Sequence, residues 1–253
     1  MKVFCSIVLA LFAQFFSSSV YSQTPDTLFA GLPKKEYLTG QFEAAALPVY
    51  FTLLPSEFSV GEQRLRAQAA QAFVNMALAA QIQGIELKAV SSTRSFYRQK
   101  AIWEDKWNGV RKVDGLDLSK SGLNPSKKAI RIMRYSSMPG TSRHHWGADV
   151  DINSVDDAYF KTPEGRLAYE WLLAHAKEFG FCQVYHSKQN SGRSGYEEEK
   201  WHWSYLPLAL PFTHTYKNLI SNQDISGFLG SETAIKIQAI EKYVFGLNPI
   251  CTE

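Results

Sequence analysis

The sequence predicts an α+β fold, because helix-period and strand-period stretches follow one another through connections of mixed length and content. No internal repeat or low-complexity tract appears, so neither a solenoid nor a regular doubly wound sheet fits. Residues 23–253 are enough to bury one core with decorations.

The elements follow in chain order. Lys2, a short apolar run over 3–16 and small residues up to Ser22 predict a signal peptide over 1–22, cut after Ser22. A membrane helix needs about 20 apolar residues, more than this run holds, so no anchor is expected in the mature chain. Cys5 precedes the apolar core, which argues against a lipid anchor, and the protein is expected to be exported, periplasmic or secreted.

Residues 23–60, punctuated by Pro and Gly without clear period, read as an N-terminal extension. Ala, Gln, Arg and Leu over 62–83 predict a helix ended by Gly84, and 85–92 alternates as a strand. A second helix opens at 93–99 and runs to about Trp107. Four glycines and two prolines make 108–140 a loop-rich insertion with one short helix over 126–134.

Residues 148–153 read as a strand. Thr162-Pro163-Glu164 caps a helix that Gly180 ends, and strands follow over 181–186 and 201–205. These elements are expected to form one domain over 61–206, with 207–253 a C-terminal helical extension, clearest over 231–243.

Charge is nearly balanced, with 27 Lys and Arg against 24 Asp and Glu. The cluster Lys127, Lys128, Arg131 and Arg134 sits at helical spacing and reads as a solvated face, so nucleic acid is not an implied partner. Cys182 and Cys251 form an even pair once Cys5 leaves with the signal. They are either a disulfide pinning the tail to the core or two unpaired thiols, one buried and one in the tail.

The chemistry concentrates in 142–151 and 199–202, which supply imidazoles, a carboxylate and a spare glutamate. A hydrolytic zinc site with three protein ligands and an open position needs this set. Alternation puts Asp149, Asp151 and Asn153 on one strand face, a polar density costly to bury unless something binds there. Of His144 and His145, pointing oppositely on a strand, only one can be a ligand. His144 is favoured because Gly147 allows a tight turn that returns Asp151 to the same ion.

His202 completes the set, and Glu199 just ahead of it serves as base for a water. Strict alternation would face Glu199 and His202 oppositely, so a bend or bulge near Lys200 is required. Arg94, at a strand-to-helix boundary, suits a carboxylate or a developing oxyanion. His175, His186 and His214 lack carboxylates at useful spacing and read as background.

Ser142-x-His144-x-x-Gly147-x-x-x-Asp151, with Glu199-x-Trp201-His202-Trp203 downstream and Arg94-Ser95-x-x-x-Gln99 upstream, resembles the zinc D-alanyl-D-alanine carboxypeptidases of the VanY type, peptidoglycan metallopeptidases. The resemblance covers roughly 85–205. It implies a small antiparallel sheet flanked by helices, with zinc on His144, Asp151 and His202 and Glu199 as catalytic base. It further implies that Arg94 steadies the transition state, and that Ser95, Gln99, Ser142 and Trp201 contact a peptidoglycan stem peptide.

The chain departs from the family pattern in three places: Asp149 stands where alanine is usual, Lys200 where proline is usual, and Val184 near an expected arginine. Asp149 could hydrogen-bond a ligand from behind, alter the acidity of the zinc water, or meet a positive group of the substrate. The expected activity is release of the terminal D-alanine. Two other readings are an endopeptidase or L,D-carboxypeptidase with the same chemistry, and a zinc-stabilised cell-wall binding module without turnover. Glu199 and Arg94 argue against the last, since a structural zinc needs neither.

Overall fold

The computed structural model describes residues 28–189 and 191–252, so the expected signal segment 1–22 lies outside the described residues. The described residues form two antiparallel sheets. β1 (Phe51–Leu53) pairs with β2 (Arg64–Arg66), and β3 (Ala89–Ser91), β4 (Asp149–Ile152), β5 (Phe181–Gln183) and β6 (His202–Tyr205) form a four-stranded sheet in the order β3-β4-β6-β5. The fold is α+β, as the mixed connections predict.

The register of the larger sheet sets which polar side chains meet. Asp151 pairs with His202 across the strands, Val150 with Trp203 and Asp149 with Ser204. Because side chains alternate, Asp149, Asp151, His202 and Ser204 share one face. Val150 and Ile152 point into the core, both fully buried.

Among the described residues seven α-helices flank the sheets: α1 (Lys34–Leu38), α2 (Ala67–Ile82), α3 (Phe96–Trp107), α4 (Pro125–Ile132), α5 (Pro163–His175), α6 (Leu206–Leu219) and α7 (Ala234–Ile237). α2 buries Ala69, Ala70, Ala77 and Ala80, small residues that let it lie close to the core, together with the larger Phe73 and Met76. Ser95, Asn124 and Thr162 cap α3, α4 and α5 by accepting from the backbone N–H three residues on.

Several boundaries differ from those read in the sequence. The helix expected over 62–83 begins only at Ala67, because Arg64–Arg66 is drawn into the ladder with β1. The strand expected over 85–92 keeps only Ala89–Ser91. At its start the Lys88 amide bonds the Asn153 side chain at 2.7 Å in place of a ladder partner. Asn153 itself leaves β4 with a left-handed φ of 64°, so it is a hinge and not part of the polar face.

The strands expected over 181–186 and 201–205 are Phe181–Gln183 and His202–Tyr205. In the tail the regular helix is α6. The helix expected over 231–243 is instead broken by Gln238 at φ 55° between α7 and a π-turn, Ile240–Val244.

The segments expected as extensions at both ends pack into one hydrophobic cluster running from Phe29 to Cys251. Tyr37 Oη donates to the Trp146 carbonyl at 2.7 Å, Trp146 Nε1 donates to the Leu38 carbonyl at 3.1 Å, and the Arg66 amide donates to the Gly147 carbonyl at 2.9 Å. The N-terminal segment thereby clamps the turn that carries His144. Gly147 has a φ of 70°, and a side chain there would run into the Phe51 ring and the Arg66 stem.

At the other end a disulfide joins Cys182 of β5 to Cys251, with Cα atoms 5.8 Å apart. Asn248 beside it bonds the Gln183 carbonyl through Nδ2 at 3.1 Å. Among the described residues no helix is long and apolar enough to cross a membrane.

Candidate metal centre and cleft

His144, Asp151 and His202 each offer one ligand atom, and these atoms lie within 4.8 Å of one another. His144 does not sit on a strand. It is carried by a 3-10 turn, Arg143–Trp146, which Gly147 closes in the left-handed conformation. His144 Nδ1 lies 2.8 Å from the Ser92 carbonyl and His202 Nε2 lies 2.8 Å from Asp149 Oδ2.

Both of those partners only accept, so the outward nitrogen of each ring is protonated. The inward nitrogens, His144 Nε2 and His202 Nδ1, face Asp151 at 3.3 and 3.2 Å. Asp149, Asp151 and Glu199 hold the His202 imidazole well above its usual range, and a bound cation would displace its inward proton and take that lone pair. Asp151 Oδ1 is buried without a hydrogen-bond partner. Two imidazole lone pairs and an unsatisfied carboxylate oxygen aimed at one point fit a divalent zinc in donor type and tautomer.

Asp149 is the residue behind His202. Its carboxylate is fully buried and accepts from His202, from Arg143 Nε at 3.0 Å and from Ser204 Oγ at 2.6 Å. Arg143 also donates to Ser204 Oγ at 2.8 Å and Thr213 Oγ1 at 2.9 Å, and lies over the Trp146 ring. Burial pushes the Asp149 carboxyl up, but Arg143 and His202 hold it below the ordinary carboxylate range. A substrate contact by Asp149 is ruled out by this enclosure. Arg143 is a site residue that the motifs do not point to, although an arginine and an aspartate six residues apart are a signal present in the chain.

Glu199 precedes β6 in a turn in which the His202 amide bonds its carbonyl at 3.2 Å, so strand alternation does not apply to it. Its Oε2 lies 3.4 Å from His202 Nδ1, and burial raises its carboxyl above the usual range. Arg94 borders the same space, with Nε buried and unpartnered. Burial lowers it, while Asp151 and Glu199 act through space to keep its charge.

His145 holds Arg94 in place. Its Nδ1 lies 2.7 Å from the Arg94 carbonyl, and its Nε2 accepts from the Gly140 amide at 3.1 Å. Burial pushes this imidazole down to about 3, so it stays neutral, and it takes no part in the donor set.

A cleft of about 780 Å³ opens over these groups, lined by Arg94, Ser142, His144, Asp151, Glu199, Trp201 and His202 among others. Ser142 Oγ is buried and free to bond a ligand. Trp201 packs against Tyr135 and Phe160 along one wall. Ser95 and Gln99 do not line the cleft, contrary to expectation: Ser95 is spent on capping α3, and Gln99, fully buried, donates to the Ser137 carbonyl at 2.8 Å.

Residues not foreseen do line it, among them Arg98, Lys106, Tyr185 and Tyr196. For the first two, the four-residue spacing from Arg94 was the available signal. His175 and His214 lie apart from the cleft, on Glu178 and Asn218.

A model of the VanY family, D-alanyl-D-alanine carboxypeptidase, matches residues 62–208. The chain belongs to the VanY family. Among curated relatives, YodJ of Bacillus subtilis (strain 168) is 28% identical over 190 residues, covering 73% of this chain and 62% of that protein. A D-alanyl-D-alanine carboxypeptidase of Enterococcus faecalis (strain ATCC 700802 / V583) is 26% identical over 130 residues, covering 51% of this chain and 44% of that protein. The chain thus spans less than two thirds of either relative.

Among solved structures, a VanY D,D-pentapeptidase variant in complex with Zn(II) aligns at TM-score 0.46 and 24% identity, over 71% of this chain and 92% of that one. The LD-carboxypeptidase LdcB aligns at 0.48 and 23%, over 81% of each. The matched VanY region contains β2 to β6 and every donor described above.

Proposed function

We propose that this VanY-family chain is an exported zinc peptidase that hydrolyses peptidoglycan stem peptides and releases their terminal D-alanine. The observation that carries the reading is the convergence of two imidazoles and the unsatisfied Asp151 oxygen beside the Glu199 carboxylate and the Arg94 guanidinium, whose Nε has no partner. Membership of the family supports the substrate class.

His144, Asp151 and His202 would hold the zinc, which when bound supplies Lewis-acid polarisation and makes a neighbouring water more acidic. Glu199 takes the proton from the attacking water and returns it to the departing amine. Arg94, fixed through its carbonyl by His145, donates to the oxygen on which negative charge develops. Ser142 Oγ bonds the peptide, and the Trp201 ring forms the wall against which it lies.

Incubating the zinc-loaded protein with muropeptides and weighing the products tests this directly. Loss of one alanine is expected. An internal cut would make the chain an endopeptidase, and unchanged mass would make it a binding module. Glu199→Ala should abolish turnover with zinc content unchanged, and near-normal activity of that variant would overturn the role given to Glu199.

A further inference from the structure

One wall of the cleft carries more positive charge than the proposed chemistry uses. Arg98, Ile102 and Lys106 follow Arg94 at four-residue intervals, so along α3 they form one face, and all four line the cleft. Helical side chains lean towards the N-terminus, and Lys106 stands near enough to Arg94 and Glu199 to feel both charges. Lys106 Nζ donates to Ser136 Oγ at 2.9 Å.

Among the described residues, Arg94, Arg98 and Lys106 form no close ion pair with a carboxylate. Arg111 nearby is engaged with Asp105 at 3.2 Å, and Asp114 with Arg131 and Arg134 at 3.5 and 2.6 Å. Like charges lining a half-buried wall oppose one another. Lys106 feels Arg94 and Arg111 in this way, and burial together with these neighbours brings its ammonium down to about 8. A ligand carboxylate would relieve the repulsion through charge-assisted hydrogen bonds.

We propose that Lys106, with Arg98 on the same helix face, forms a carboxylate-binding subsite for the peptide, separate from the carbonyl position beside Arg94 and the metal donors. This rests on the peptidase reading above. The carboxylate has two sources of the same chemistry: the C-terminus of the peptide, or the side chain of a diamino dicarboxylic acid within it. Neither residue belongs to the motif that the chain shares with its family.

The test uses the zinc-loaded Glu199→Ala protein, so that ligands bind without turnover, with and without Lys106→Met or Lys106→Arg. Calorimetric titration is made with two acid and amide pairs. One pair is D-Ala-D-Ala and its C-terminal amide; the other is a stem peptide with a free or an amidated side-chain carboxylate. Lys106→Met should weaken binding of the acid form in one pair about tenfold and leave its amide within about twofold, while Lys106→Arg keeps most of the affinity. The pair that responds identifies the source.

Equal losses for acid and amide in both pairs, or no loss at all, would overturn the subsite while leaving the peptidase reading intact. Failure of the zinc-loaded parent to bind any of the four peptides would count against the peptidase reading and remove the subsite with it.

Discussion

Asp149 and His202 are joined through Oδ2 and Nε2 at 2.8 Å, on the side of the imidazole away from Asp151. That bond selects the tautomer whose Nδ1 lone pair faces the metal position, and Arg143 holds the carboxylate in its charged form. The bond orients a ligand and adds no donor atom of its own, so it tunes metal binding and is not a requirement for it.

Asp149→Ala should therefore weaken zinc binding about 10–100-fold without abolishing it, measured by competition with a chromogenic chelator. The same change leaves the Arg143 guanidinium buried and unpaired, at a cost of about 3–5 kcal/mol in a urea melt. Adding Arg143→Met should restore much of the stability and none of the affinity. Recovery of both together would show that Asp149 acts through packing alone.

Zinc should raise the melting temperature. At free zinc about 100 times Kd the stabilisation is about 2.7 kcal/mol, which for a chain of this size corresponds to about 5–10 °C. Asp151→Asn and His202→Ala should lose the shift. A melt identical with zinc and with chelator would remove the metal centre from the account.

The Cys182–Cys251 bridge closes a loop of sequence separation 69, for which the chain-entropy treatment gives about 4 kcal/mol of stabilisation. The double variant Cys182→Ser, Cys251→Ser should lose unfolding free energy of that order in a urea melt, seen as a lower midpoint. It should retain zinc binding, because the bridge anchors the tail to β5 and touches no donor. An unchanged midpoint would mean that Asn248 and its neighbours hold the tail unaided.

Peptide binding should depend on pH through Lys106. Only the ammonium attracts a carboxylate, and it is the prevailing form below about 8, so affinity should fall as pH rises through that value. The groups acting on it are Arg94, Arg111, Glu199 and Asp114. Titrations from pH 7 to about 9.5 in the Glu199→Ala background remove one of these, and Lys106→Arg, charged throughout, should flatten the profile. Parallel profiles for Lys106 and Arg would assign the pH dependence elsewhere.

Much of this was legible in the chain. The residue types and order of the donors, the Thr162-Pro163 helix start, the Gly180 stop and the α+β class are local signals, carried by side-chain chemistry and by periods of 2 and 3.6. The sequence by itself determined which residues could coordinate a metal, and that Gly147 would turn the chain between two of them.

Only the tertiary structure decided the pairings: Asp151 opposite His202, β2 drawn out of an expected helix by β1, and Arg143 set against Asp149 and Ser204. The same holds for Ser95, whose hydroxyl is claimed by a helix cap, and for the Gln99 amide nitrogen, claimed by a buried carbonyl. The physical reason is range. A propensity acts over a few residues, whereas ladder register and the satisfaction of buried polar groups depend on partners many residues distant, chosen only once the core has closed.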